Sequence, residues 1–197
     1  MNLFKTLLAA ASLSLLAACQ TPPRPLDPIQ VSNNSVGNLW AQTPFSPFAV
    51  QKAFPRYQVN MGQNSEGQIA ILVAAGDDVV LNIIPTQNKM WISAVVVVGQ
   101  TAVGPDGVQI GMPFASIYQN KMPSCKADTS EMGAYGDSQS TGLIMCPAPG
   151  ASQLVYYFKG TGADKKTGMP SPAAAASWSL SAIIWNTNNP EDTPPAS

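Results

Sequence analysis

Three cysteines, eleven carboxylates, ten lysines and arginines and no histidine are the reactive stock of this 197-residue chain. Without histidine there is no side chain that ordinarily titrates near neutral pH, and the commonest transition-metal ligand is missing. Serine–histidine and cysteine–histidine catalysis are thereby excluded. A histidine-free hydrolase would have to draw on Lys121, Lys159, Asp128 and Glu131, which show none of the spacing that would define one. Oxygen-ligand cation sites need clustered acids, whereas Asp77-Asp78 sits between two apolar runs and reads as a hairpin turn. We therefore expect no catalytic residues, no cofactor site and no metal site, and read the chain as a non-enzyme.

The cysteines divide into one and a pair. Cys19 ends Leu16-Ala17-Ala18-Cys19, which closes the apolar run Leu7–Ala18 behind Lys5. A basic start, about a dozen apolar residues and small residues before the break are the parts of an export signal, too short to span a bilayer. Leu-Ala-Ala-Cys resembles a bacterial lipobox, which implies cleavage after residue 18 and acylation of Cys19 as the first mature residue. Gln20 stands where lipoproteins retained in the inner membrane typically carry Asp, so the resemblance implies the outer membrane, with the body in the periplasm. Each buried acyl methylene contributes about 0.8 kcal/mol, so several chains would anchor the protein stably. The remaining pair, Cys125 and Cys146, brackets a polar stretch over 126–145. In an oxidising compartment a disulfide is expected in preference to free thiols or a metal pair.

The formal charge is −1, and a leader carrying only Lys5 would leave the mature part more acidic still. Beyond Lys165-Lys166 there is no run of basic residues, so neither the stripe needed to neutralise nucleic-acid phosphates nor a polybasic lipid-binding segment is written in the sequence. Membrane attachment is expected to come from the lipid on Cys19.

The organisation that follows is residues 1–18 as signal peptide, 19–28 as lipidated cysteine and proline-rich tether, 29–185 as one periplasmic domain, and 186–197 as a disordered tail. The tether holds Pro22, Pro23, Pro25 and Pro28, which favour an extended chain. Gln30–Gln42 is strand-like around the Asn33-Asn34 turn signal. Thr43 and Ser46, each followed by proline, signal a helix running to about Phe54. Tyr57–Gly62, Gln68–Ala75, Val79–Pro85 and Lys89–Gly99 are rich in β-branched residues and joined by short turns, which implies an antiparallel meander. After the Gly104-Pro105-Asp106-Gly107 turn, Val108–Phe114 leads into a second short helix ending near Tyr118. Gln153–Lys159 and Ser177–Trp185 alternate as strands around a loop over 160–176, where Lys165 and Lys166 read as a solvated tip. Trp40, Trp91, Trp178 and Trp185 lie within or at the ends of apolar strand patterns and are expected in the core. The fold class is α+β, mainly an antiparallel β-sheet with two or three short helices. Pro113-Phe114-Ala115-Ser116 echoes Pro44-Phe45-Ser46-Pro47; two related strand–helix–meander halves are one reading of that echo and coincidence the other.

Several motifs together carry a family resemblance: Val36-Gly37-Asn38-Leu39 ahead of Thr43-Pro44-Phe45, then Gly107 to Phe114, the cysteine pair, Tyr156-Tyr157-Phe158-Lys159-Gly160, Gly168-Met169-Pro170, and Trp178 ahead of Ile183-Ile184-Trp185. Over roughly Val31 to Trp185 the chain resembles the YfeY-like lipoproteins of Gram-negative bacteria, a family regulated by the envelope-stress factor RpoE (sigma-E) and of uncharacterised function. The resemblance implies an outer-membrane location and a link to envelope stress, with no activity to carry over. The leading expectation is a lipid-anchored, non-enzymatic periplasmic domain that binds another envelope component and no nucleic acid. A small-hydrophobe or lipid-binding lipoprotein is the alternative, with a histidine-free envelope hydrolase behind it.

Overall fold

The computed structural model describes residues 25–64, 67–119, 121–128 and 141–188. Three two-residue strands come first: β1 (Ile29–Gln30), β2 (Ser35–Val36) and β3 (Leu39–Trp40), the last two paired through a turn in which Gly37 takes φ +55°. Helix α1 (Pro47–Ala53) starts where Ser46 Oγ accepts the amide of Ala49, with Pro47 in its first turn. Four strands follow in a meander, β4 (Gln58–Gln63), β5 (Ile69–Ala75), β6 (Asp78–Pro85) and β7 (Ile92–Val97). Ala75 pairs with Asp78, so Gly76-Asp77 is a two-residue hairpin loop, as the sequence signals, with Gly76 at φ +66°. Strand β8 (Ala102–Val103) runs parallel to β1. A 3-10 turn at Pro105–Gly107 then leads to helix α2 (Phe114–Tyr118). The second series is β9 (Lys126–Ala127), β10 (Thr141–Ala148), β11 (Ala151–Thr161), the short helix α3 (Pro172–Ala175) and β12 (Ser179–Asn186).

Eight strands form one antiparallel sheet in the order β4-β5-β6-β7-β12-β11-β10-β9. Two consecutive meanders, each preceded by a helix, thus meet through their last strands, with Val97 opposite Ile183 and Val95 opposite Trp185. The halves correspond in detail. Phe45 donates its amide to Met90 O (2.9 Å) and Phe114 donates to Trp178 O (2.8 Å), while Pro44 bridges Trp91 and Pro113 bridges Ser179. Each half has a bulge between its second and third strands and another between its third and fourth. The echoing Pro-Phe segments therefore occupy equivalent places in two related halves.

One face of the sheet carries the core. Its central row runs Val59–Val73–Leu81–Val97–Ile183–Tyr156–Cys146 across seven strands. Val50 and Phe54 of α1 and its C-cap pack into the core, as do Phe114 and Tyr118 of α2; Phe114 and Tyr118 meet Phe158 edge to face, with ring centroids 5.1 and 5.8 Å away. Trp178 and Trp185 are buried as expected, but Trp91 is only half-buried, at the corner before β7, and Trp40 is 54% exposed, because its strand is only two residues long and Leu39 takes the inward position. The strand-like stretch 30–42 is broken into short paired segments, by a bend at the Asn33-Asn34 turn signal and by a second turn at Gly37-Asn38. The last meander strand begins at Ile92, leaving Lys89 to Trp91 in the corner before it.

The ends of the body differ from the expected boundaries. Arg56 Nη2 donates to Pro25 O (2.9 Å), its Nη1 faces Asp27 at 3.4 Å, and the Tyr57 hydroxyl donates to Asp27 O, so residues 25–28 lie against the body. At the other end Asn186 belongs to β12, and the buried Thr187 hydroxyl reaches Ile92 O and Ser93 O at 2.9 Å each. The expected signal peptide, Cys19, the first part of the tether and residues 189–197 lie outside the described residues. Among those described, no helix is long and apolar enough to cross a membrane.

Candidate functional site

Cys125 and Cys146 are joined in a disulfide that ties the segment entering β9 to the buried face of β10. The bridge borders the core, which makes it a structural link. Among the described residues no group of three or more cysteines and acids comes together in a way that could hold a metal ion. Of the hydrolase candidates, Lys121 is exposed after α2 and Glu131 lies outside the described residues. Asp128 donates its amide to Leu143 O (2.8 Å) and Leu143 lies opposite Lys159, so Asp128 and Lys159 flank Leu143 in one cross-strand row. In the 160–176 loop, Asp164 Oδ1 accepts the amides of Thr167 and Lys166 and the Thr167 hydroxyl, at 2.9–3.0 Å. Those bonds, the Thr167 amide first, hold its carboxyl below the usual range and leave the lysines on a solvated turn.

The most extensive candidate is the face of the sheet opposite the core. Asn60, Leu72, Asn82, Val96, Ile184, Val155 and Pro147 stand opposite one another in one unbroken row across β4, β5, β6, β7, β12, β11 and β10. All are half-buried or exposed, and none belongs to the core or is packed against it. Strand alternation puts Ile84, Tyr157, Met145 and Leu143 on the same side. The face is apolar with interspersed amides and Lys159 near one end, which suits recognition of another surface more than bond-breaking chemistry. Composition alone hid it. Apolar residues on both sides of a strand such as Ile69–Ala75 read as cover on both sides, whereas the described elements cover one.

Two smaller features flank the helices. An exposed groove beside α1 is lined by Trp40, Thr43, Pro44, Phe48 and Lys52. Near α2, a cavity of about 270 Å³ is lined by Asp106, Val108, Met112, Ile117, Gln119 and Tyr156. Tyr156 is 1% exposed and borders this cavity. Burial, then the charge of Asp106, pushes its pKa up to about 12. Burial likewise raises Tyr118, whose hydroxyl donates to Pro147 O at 2.8 Å.

A histidine-free α+β protein with two helix-and-meander halves sharing one sheet, a structural disulfide and a sheet face that no described element covers is the class this architecture defines. Residues 26–187 match the family model described as Protein of unknown function (DUF1131), and the chain belongs to that family. It is 28% identical over 160 residues to "Uncharacterized protein YfeY" of Escherichia coli (strain K12), which covers 79% of this chain and 78% of that one. The crystal structure of the uncharacterized protein yfeY from Escherichia coli matches with a TM-score of 0.59 at 28% identity, covering 80% of this chain and 99% of that chain. The YfeY-like resemblance thus holds at the level of the family.

Proposed function

We propose that this protein is a non-enzymatic, lipid-anchored component of the outer membrane that faces the periplasm and binds another envelope protein through the outer face of its sheet, in envelope homeostasis or the sigma-E stress response. The observation that carries the reading is the row Leu72–Asn82–Val96–Ile184–Val155, apolar but for Asn82, half-buried and packed against nothing in the core. The lipobox ending at Cys19 supports the anchor, and the absence of histidine supports a binding role over a hydrolytic one. In cells, photo-crosslinking probes at Asn82, Val96 and Val155 should capture one and the same envelope protein. Capture of nothing from this face, with probes elsewhere on the body yielding a discrete product, would sink the assignment of the surface. For the anchor, Cys19→Ser should leave the outer-membrane fraction, and the wild-type N-terminal peptide should carry acyl chains.

A small-ligand reading has one observation in its favour, the cavity of about 270 Å³ that Tyr156 borders with Asp106. It predicts co-purification of a polar-headed small molecule that Tyr156→Phe no longer retains, detected by mass spectrometry of the native protein.

A further inference from the structure

Large apolar side chains on a soluble surface are informative when they gather. Trp40 is 54%, Phe48 83% and Met90 58% exposed. Trp40 and Phe48 line one groove with Pro44 and Lys52, and Pro44 bridges Trp91 while the Met90 carbonyl accepts from Phe45, so Met90 stands at the rim. Phe48 and Lys52 are four residues apart on α1, on the side away from Val50, which is fully buried. Lys52 lines the groove and Lys89 directly precedes Met90 in the chain; both are exposed. Sequence order scatters these residues over fifty positions, which is why no basic or aromatic cluster is visible in the linear chain.

The start of the body lies next door. Residues 26–30 line a second groove that shares Asn38 and Ala53 with the first. Pro25, held by Arg56, is six residues after Cys19. At ~3.3–3.6 Å per residue, six residues reach at most about 20 Å, and α1 itself is only about 10 Å long. An acylated Cys19 would therefore keep this corner of the molecule close to the bilayer, whatever path residues 20–24 follow. Tryptophan favours the headgroup level of a membrane, phenylalanine and methionine the acyl boundary, and lysines the anionic headgroups.

We infer that the outward side of α1 with the β3 and pre-β7 corners, presenting Trp40, Phe48, Met90, Lys52 and Lys89, is a membrane-contacting surface that seats the tethered body on an anionic bilayer. The inference rests on the lipid anchor proposed above and adds an orientation to it: the body lies on the membrane by a defined corner instead of swinging freely from the lipid. Nothing in it requires a protein partner at this patch.

The test uses the full lipoprotein in vesicles of phosphatidylethanolamine and phosphatidylglycerol, with and without brominated acyl chains. Flotation with the vesicles and the mass of the N-terminal peptide check the anchor separately. Brominated lipid should quench part of the tryptophan emission, several-fold less in Trp40→Phe, and less in Lys52→Glu/Lys89→Glu or when phosphatidylglycerol is replaced by phosphatidylcholine. Circular dichroism confirms that each variant is folded. An acylated, floating protein whose emission is the same in plain and brominated vesicles overturns the inference and leaves the anchor standing; a Cys19 without acyl chains removes both. A photoreactive group at Phe48 should label lipid in cells. Labelling of a protein or of a second copy of this chain in its place would also overturn the inference.

Discussion

Gly142 and Gly160 lie opposite each other across β10 and β11, and their missing side chains make the flat seat on which the Trp178 indole rests. A Cβ at Gly160 would come within 2.6 Å of Trp178 Nε1, and one at Gly142 within 2.5 Å of Cη2 and 2.7 Å of Ala163 Cβ. The indole is fixed there by its N–H bond to Thr161 O at 2.9 Å, so it cannot step aside without leaving a donor unpaired. Gly160→Ala should lower unfolding free energy by roughly 2–4 kcal/mol in a denaturant titration. The same residues figure in the family motifs: Tyr156–Gly160, Trp178 and the Gly107–Phe114 stretch meet in space, Gly111 donating to Leu180 O and Phe114 to Trp178 O. The sequence made their types legible but not their meeting, because the contacts join segments some 20 to 70 residues apart. The buried tyrosines add a pH dependence. Tyr156 ionises near 12 when folded against 10 in a free phenol, and Tyr118 is also raised. A raised folded pKa means stability that is full below pH 10 and lost as the pH climbs toward 12, since only the unfolded chain readily gives up the proton. Unfolding free energy should be level from pH 7 to 9 and drop by roughly 2 kcal/mol per buried phenol by pH 12. Tyr156→Phe should flatten that decline.

Among the elements, helix α1 was the most legible because its start is written in local chemistry: Ser46 caps, Pro47 follows, and Pro55 lies just past the end. Ser46→Ala removes the acceptor for the Ala49 amide and should cost about 1 kcal/mol of stability in a denaturant titration. The long strands were legible through β-branched runs and alternation. The two-residue pairs β1 with β8 and β2 with β3 were not, since so short a segment has no period and is held by partners distant in sequence, Ile29 by Ala102 for example. Thr187 escaped for the same reason, its hydroxyl being satisfied by carbonyls more than ninety residues earlier. At the sheet edge, β9 has only two residues and pairs with β10 over Ala127–Ile144 and Lys126–Met145. The disulfide supplements that brief ladder. Reducing it, or replacing both cysteines with alanine, should lower the unfolding free energy by about 3 kcal/mol by loop entropy. The loss should begin at this edge and be seen as early hydrogen exchange in β9 and β10.

At the scale of the molecule, the sheet face that no described element covers is the feature that local sequence signals leave ambiguous and topology reveals. A strand such as Ile69–Ala75, apolar on both sides, looks alike whether its second side meets a helix, a partner or water. If that face is the binding surface, Ile184→Lys should abolish capture of the partner while shifting the unfolding midpoint little, because Ile184 is only half-buried and touches no core residue. The central seam has a different consequence. Residues 25–103 hold a complete half, with β1 closing on β8 and α1 on the β4–β7 meander. Cut free, that fragment would expose the full hydrogen-bonding edge of β7, with Val95, Val96 and Val97 in a row. The partner strand it loses is its own counterpart, running antiparallel. Expressed alone, the fragment should therefore pair with a second copy of itself edge to edge, giving a concentration-dependent symmetric dimer by light scattering, in which one gene product twice over restores the eight-stranded sheet.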